Sequence, residues 1–449
     1  MNVERVSPND LTELVTETPA GPQQMGAILR LGSPIPVAAV VGALGERVSR
    51  VGRLRQRLVV VPVGLGRPVW VDDGAFDIAR HVRRHVSPRV PGESELRAVA
   101  ASDVACPLPR DRPLWRATLF TDAEGGCHAV VLTLHHMLAD GIGGLAALSE
   151  LVDSDATTPL TAFPGPAPTR ADLIRDVGAA RIRALRELPA VARRLRAAVS
   201  ELAGGARGGS GHRLAARTSL NRPIGRRRTL GVTRVPLAAV VDAAHRSGAT
   251  VNDVLLAAVG GTFGGTLRAR GEAVDDIVIS VPVSGRPNAG ADRLGNRVGV
   301  MPVRVPTVGP PRDRLAAVAA ATSRDRQKWR STRSGRGSSA LILGVAFRGL
   351  ARLHLFAWFI DRQRLVNTFL TNIRGPDTRL HLLGTPITGI EAISPIAGNV
   401  GIAFTALSYA GTLTITVIAD PSLCPDIAAT CTRLLRELDE LTAAGNPGI

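Results

Sequence analysis

What this 449-residue chain has little of narrows its class before any motif is read. Aromatic residues make up only 3%, and no RNP-like aromatic pattern that would stack bases is present. The four cysteines, Cys106, Cys127, Cys424 and Cys431, form no CxxC pair, and His128 beside Cys127 does not make a zinc-ligand pattern. A disulfide framework and a metal site are therefore not expected, and a reducing compartment fits. Residues Met1 to Asp10 are acidic and polar where a secretory signal needs a basic start and an apolar run, so a cytoplasmic location is expected. There is no GxxxxGK[ST] loop for nucleotide phosphates and no GxSxG elbow for a serine hydrolase. No uncharged apolar stretch reaches the roughly 18 residues that span a bilayer as a helix. The nearest, Leu341 to Ile360, is broken by Arg348, Arg352 and His354 and reads as an amphipathic helix lying against something apolar, the protein's own core ahead of a membrane surface.

Lysine is also nearly absent: Lys328 is the only one, so the net charge of +17 is carried by arginine. A basic surface attracts phosphates, which points to nucleic acid or an anionic membrane. Arginine-rich coding from a GC-rich genome explains much of the same excess. What it does not explain is local clustering, at Arg226-Arg227-Arg228 and from Arg170 to Arg196. Zinc-finger spacing and a helix-turn-helix pattern are both missing, so no specific nucleic-acid partner is expected.

With 45% apolar and 21% charged residues the chain reads as globular, and its length calls for more than one domain. Residues 1–156 alternate strand-like and helical runs, with strands predicted at Arg57–Val63 and His128–His136 and a helix at Glu93–Ala101. Residues 157–215 form a linker, Pro- and Thr-rich from Thr157 to Thr169 and then helical from Asp172 to Leu202, where Leu173, Val177, Leu185, Leu188, Leu195, Val199 and Leu202 make one apolar stripe. Pro189 should kink or divide that helix. Its other face carries Arg181, Arg183, Arg186, Arg193, Arg194 and Arg196, either solvated or docked on anionic headgroups. Residues 216–449 resume the mixed pattern: helices at Pro236–Ser247, Asn252–Arg268 and Asp426–Leu441, strands at Asp276–Pro282, Val298–Val305 and Thr412–Ala419. The fold class is α/β, two units with mixed sheets flanked by helices and joined by a basic helical linker.

The run His128 to His136 is almost continuously apolar, which suits a strand covered on both faces, and it ends in a histidine pair. Side chains alternate along a strand, so one of His135 and His136 should face a substrate while the other anchors the turn. Asp140 and Gly141 follow in a tight connection before a helix from Ile142 to Val152. A histidine with its ordinary pKa near 6.5 can take a proton from a hydroxyl at neutral pH and return it to a leaving thiolate.

The string His135-His136-Met137-Leu138-Ala139-Asp140-Gly141 resembles the HHxxxDG motif of the CoA-dependent acyltransferase superfamily. Pro113-Leu114-Trp115 resembles the PLW block, and Asn252-Asp253 the ND block, of the bacterial wax ester synthase/diacylglycerol acyltransferase family. Ser7-Pro8-Asn9-Asp10, Phe76-Asp77-Ile78 to His81-Val82, Pro282-Val283-Ser284 with Gly295-Asn296, Thr371 to Pro376, and Ser408-Tyr409 with Gly411 resemble further blocks in the same order.

The resemblance implies two chloramphenicol-acetyltransferase-like subdomains with a channel between them. It implies acyl-CoA as a substrate, no cofactor, and a lipid alcohol such as diacylglycerol or a long-chain alcohol as acceptor. His136 would be the general base, with His135 and Asp140 completing the catalytic motif, Asp140 paired with an arginine for which Arg286 is the candidate, and Gly141 keeping the channel open. Residue by residue, blander roles are expected beside these: Trp115 buried against the strand it precedes, and Asn252 or Asp253 as the N-cap of the following helix. Two other readings stay open, a carrier-protein donor or specialised hydroxyl acceptor, and a lipid-surface protein of low activity. Peripheral contact with an anionic membrane or lipid-droplet surface goes with either.

Overall fold

The computed structural model describes residues 3–139, 141–153, 163–207, 214–284, 298–331, 349–350, 353 and 355–443. The first part of the chain runs α1 (Pro8–Thr16), β1 (Gln24–Pro36), α2 (Val37–Arg47), β2 (Gln56–Val59), β3 (Val69–Asp72), β4 (Val82–Val86), α3 (Glu93–Ala105), β5 (Trp115–Thr121), β6 (Gly126–His135) and α4 (Gly141–Leu151). A long helix, α5 (Arg170–Arg207), follows. The second part runs β7 (Thr229–Pro236), α6 (Leu237–Arg246), α7 (Val251–Arg268), β8 (Asp276–Ser284), β9 (Val298–Pro306) and α8 (Pro311–Ser331). After a short helix at Phe356–Ile360 come β10 (Thr368–Arg374), β11 (His381–Leu382), β12 (Thr385–Ile393), β13 (Ile402–Tyr409) and β14 (Thr412–Ala419), and a helix at Ile427–Ala443 closes the chain.

Two six-stranded mixed sheets organise these elements, in the orders β11-β12-β1-β6-β5-β4 and β7-β14-β13-β10-β8-β9. Most neighbours are antiparallel; β4 with β5, and β10 with both β8 and β13, are parallel. The two sheets are not built from separate halves of the chain. β12 leaves the second part and pairs antiparallel with β1 from Gly26↔Ile393 to Leu31↔Ile387, so residues 216–449 also furnish the edge of the first sheet.

β6 shows why the histidine strand is apolar throughout. Val130, Leu132 and Leu134 face a core shared with Leu44, Trp70 and Trp115, while Ala129 and Val131 face a different cluster. That second cluster joins Ile28, Phe120 and Ile393 of the first sheet to Leu230, Ala403 and Ile418 of the second. The alternation of a strand thus puts one face of β6 into its own subdomain and the other into the seam. A third core lies around α7, which buries nearly its whole length against the second sheet and the closing helix.

Three expectations need correction. The strand expected over Arg57–Val63 stops at Val59, in a two-stranded ribbon with β3, and Val60 and Val63 are exposed. Pro189 does not divide the linker helix, which is one element from Arg170 to Arg207. It opens on a Thr169/Asp172 capping arrangement, with the Thr169 and Asp172 amides donating to each other's side chains at 3.0 and 3.2 Å. Much of the amphipathic stretch from Leu341 to Ile360 lies outside the described residues; in the described part Phe356 is buried and Leu353, Leu355 and Trp358 are exposed, so that part is only partly covered by the core.

Candidate active site

The histidine pair is placed by three adjacent strands. Gln24 of β1 lies beside His135 in the ladder, and Leu134 of β6 is paired with Trp115 of β5. At the strand end the His135 amide donates to the Leu114 carbonyl at 3.0 Å, and the His136 amide donates to the Gln23 carbonyl at 2.7 Å. The chain then turns, the Leu138 amide donating back to His135 at 2.9 Å. Met137, Leu138 and Ala139 are buried in the first core, so three of the seven motif residues are anchors.

The two rings lie in different surroundings. His135 is 3% exposed, its Nδ1 accepting from the Met137 amide at 3.2 Å and its Nε2 lying 3.7 Å from Oε2 of Glu17. His136 sits on the turn and is half-buried. Asp140 and its candidate partner Arg286 lie outside the described residues.

Pro113, Leu114 and Trp115 are all buried, and Trp115 opens β5. Its indole N–H donates to the Leu54 carbonyl at 2.7 Å, which satisfies the polar edge of a side chain that is only 2% exposed. The His81 ring stacks on Trp115 with centroids 4.5 Å apart, donates from Nδ1 to the Trp115 carbonyl at 2.9 Å, and stacks in turn on Phe76. Burial pushes the His81 imidazole below its usual pKa. The Phe76-to-His81 block therefore exists to hold the PLW block, and PLW holds the histidine strand.

Gly141 begins α4 facing the second sheet. A Cβ there would lie 2.9 Å from Cδ1 of Ile373 and 3.8 Å from Cγ2 of Thr371, both on β10. A side chain at this position would require the end of the Ile373 side chain to move. The Thr371-to-Pro376 block is in this way brought against HHxxxDG. Its own glycine meets the last block: the Gly375 amide donates to Ser408 at 2.9 Å, and a Cβ on Gly375 would stand 2.4 Å from that carbonyl oxygen. The next residue, Tyr409, is buried, its hydroxyl accepting from the Leu380 amide at 2.8 Å and donating to the Ile387 carbonyl at 2.9 Å.

The ND block lies at the start of α7. Neither Asn252 nor Asp253 is the N-cap of α7: the cap is Thr250, and Asp253 is the third residue of a reciprocal capping box, accepting from the Thr250 amide at 2.9 Å and hydroxyl at 2.7 Å. Its other oxygen accepts from the Thr322 hydroxyl of α8 at 2.7 Å, so a fully buried carboxylate joins two helices. Asn252 is half-buried at the start of the same helix.

A cavity of about 670 Å³ opens between residues 215–222 and 361–366, near the start of β10. It stands apart from Gly141, which meets β10 near its other end. The cavity's Asn221, Gln363 and Asn399 side chains bond to each other and to nearby carbonyls. Among the described residues no group of three His, Cys, Asp or Glu could hold a metal ion, and no helix is long and apolar enough to cross a membrane. Sequence reasoning passed over Glu17, which faces His135, and Arg110, which pairs with Glu17; the only signal was an acidic residue just past the helix that starts at Ser7-Pro8.

Comparison with known proteins places the chain in a family. A family model for the wax ester synthase/diacylglycerol acyltransferase catalytic domain matches residues 6–255, and one for the family's C-terminal domain matches residues 294–442. A Mycobacterium tuberculosis protein named "Probable diacyglycerol O-acyltransferase tgs1" is 31% identical over 435 residues, which cover 93% of this chain and 90% of that one. The wax ester synthase/diacylglycerol acyltransferase of Marinobacter aquaeolei superposes with a TM-score of 0.68 at 20% identity, covering 98% of this chain and 99% of the other. The first condensation domain of the calcium-dependent antibiotic synthetase gives 0.63 at 20% identity, over 99% and 97% of the two chains. The likeness to these two structures is one of fold, whereas the catalytic-domain model alone spans more than half of the sequence. This chain belongs to the wax ester synthase/diacylglycerol acyltransferase family.

Proposed function

We propose that this chain is an O-acyltransferase that moves a long-chain acyl group from acyl-CoA to diacylglycerol, and also to long-chain alcohols, with His136 as general base. The observation that carries the reading is the asymmetry of the histidine pair: one ring is buried and engaged on the Met137 amide, the other stands half-buried on the turn beside the helix that meets β10. His136 takes the proton of the acceptor hydroxyl as its oxygen attacks the thioester carbonyl. The C–O bond forms, the tetrahedral intermediate collapses, the C–S bond breaks, and the imidazolium returns the proton to the departing CoA thiolate. No covalent enzyme intermediate and no cofactor is needed; acyl-CoA is a co-substrate. Asp140, with Arg286 as its candidate partner, and Gly141 shape the motif in this reading.

The proposed working surface is a membrane or lipid droplet with anionic headgroups. The first turns of α5 are held to the body by Leu173, which packs on Val69 and Val71, and by the Arg5–Asp176 ion pair at 2.7 Å. From Gly178 to Pro189 every residue is exposed. Ile174, Ile182, Leu185 and Leu188, each more than half exposed, fall within a stripe about 120° wide at 100° per residue. Arg186 and Arg193 flank it, Arg181 falls within it and Arg183 lies on the opposite face. An apolar stripe with arginines beside it is the pattern of a helix lying in a lipid interface.

The test is CoA release by wild type and His136→Ala, with palmitoyl-CoA as donor and diacylglycerol or hexadecanol as acceptor, the products identified by mass spectrometry. Wild type should form triacylglycerol or wax ester, and the variant should lose about two to four orders of magnitude in kcat. Full activity in His136→Ala removes the base assignment. Turnover with an acyl carrier protein in place of CoA moves the donor to a carrier.

A further inference from the structure

We propose that Glu17 is a positioning residue for this reaction: together with Arg110 it holds the buried His135 ring, and through that ring it fixes the turn that presents His136. The proposal rests on His136 being the base.

A backbone amide can only donate, so the Met137 N–H at 3.2 Å makes Nδ1 of His135 an acceptor, and the neutral ring carries its proton on Nε2. That N–H lies in a site where the side chain is 3% exposed, and no described residue takes it in a hydrogen bond of ordinary length. It faces Oε2 of Glu17 at 3.7 Å, within reach of an ion-dipole attraction and a few tenths of an ångström beyond a direct hydrogen bond. Glu17 is the residue that caps the end of α1, and its carboxylate is also paired with the Arg110 guanidinium, which comes from the loop leading into Pro113. Burial alone would raise the Glu17 pKa, but His135 and Arg110 outweigh it and hold the carboxyl below its usual range, so it is charged at neutral pH.

Three segments far apart in sequence, at 7–17, 110–115 and 135–138, thus meet at one carboxylate. If the ring turned over, Cε1 would take the place of Nε2 opposite Glu17, Cδ2 would replace Nδ1 at the Met137 amide, which would lose its acceptor, and the turn carrying His136 would no longer be pinned. Displacing a catalytic group by about 1 Å costs on the order of a hundredfold in rate. Glu17 need not touch either substrate to matter.

Glu17→Leu keeps the volume and removes the acceptor; Glu17→Gln keeps an oxygen that can accept the Nε2 proton. Steady-state CoA release should show Glu17→Leu reduced about 10- to 100-fold in kcat, with KM for both substrates little changed, and Glu17→Gln recovering most of the loss. A Glu17→Leu enzyme with wild-type kcat, or an equal loss in both variants, overturns the proposal. A second arm needs no turnover: long-range proton–nitrogen NMR of ¹⁵N-histidine-labelled protein, with the His135 signals identified by their loss in His135→Asn. Wild type and Glu17→Gln should show His135 protonated on Nε2, and Glu17→Leu should show the other tautomer gaining population. An Nδ1-protonated His135 in wild type overturns the proposal. His136→Ala run alongside separates the two ideas, since retained turnover there removes the base assignment while the tautomer still decides whether Glu17 holds His135.

Discussion

Glu391 of β12 accepts a hydrogen bond from the Arg234 guanidinium of β7 at 2.6 Å, which ties the first sheet to the second through a carboxylate that is 1% exposed. Arg30 of β1 reaches the same oxygen, and Glu93 of α3 pairs with both arginines. Replacing Glu391 with Ala should destabilise the protein by about 1–3 kcal/mol. The figure is below that for a fully buried pair because Arg234 is partly solvated and Glu93 still balances the arginines. Urea unfolding of the variant checks it; an unchanged midpoint would mean the seam is held by its apolar cluster alone.

The buried carboxylate of Asp253 separates a structural from a catalytic role for the ND block. Asp253→Ala removes the acceptor for the Thr250 amide and hydroxyl and for the Thr322 hydroxyl, and should cost about 1–3 kcal/mol. At a temperature where the variant is folded, kcat per folded molecule should stay within about twofold of wild type, as expected when a cap is lost and the chemistry is untouched. A stable variant with no turnover would place Asp253 in the reaction.

Asp153 supplies a pH dependence. Burial would raise its pKa, but the Gly384 and Leu383 amides, at 2.7 and 2.9 Å, and the Arg47 guanidinium outweigh that and hold it below the usual aspartate value. A pKa depressed in the folded state means that the unfolded chain binds the proton more readily, so the contribution to stability is present at neutral pH and is lost as pH falls from about 4 downward. Asp153→Asn should be less stable than wild type at pH 7 and closer to it in acid. Equal differences at both pH values would remove the carboxylate as the cause.

Vesicle binding tests α5 as the element that meets a lipid surface. Replacing Arg193, Arg194 and Arg196 with Gln should weaken co-sedimentation with anionic vesicles, each arginine near a charged surface contributing about 1 kcal/mol. Replacing Ile182, Leu185 and Leu188 with Ser should weaken binding at high salt as well, where the electrostatic part is screened. Unchanged binding in both variants would leave α5 without this role.

Where local signals existed, the sequence was legible. β6, α3, α6, α7 and the closing helix follow from apolar periodicity, and the Thr250-to-Asp253 spacing is a capping-box signature that reading Asn252-Asp253 as the cap overlooked. β1 was not legible because Gly26, Gly32, Pro34 and Pro36 interrupt its alternation, and β12 because Pro386, Gly389 and Glu391 do the same. Both are strands by virtue of partners distant in sequence, and propensity carries no trace of such partners. The site divides in the same way. The histidines lie in one contiguous motif, whereas Glu17 and Arg110 gain their meaning only when α1 and the loop before β5 are folded against it.

The loan of β12 sets an order of events during synthesis. As the ribosome releases the first part of the chain, β1 can pair with β6 but its other edge has no partner until residues 385–393 emerge. Until then the nascent chain carries an open strand edge beside apolar residues meant for the seam, the kind of surface that recruits other chains. The first sheet is completed only when most of the second part has been made, so the strand that leads into His136 gains its full surroundings late.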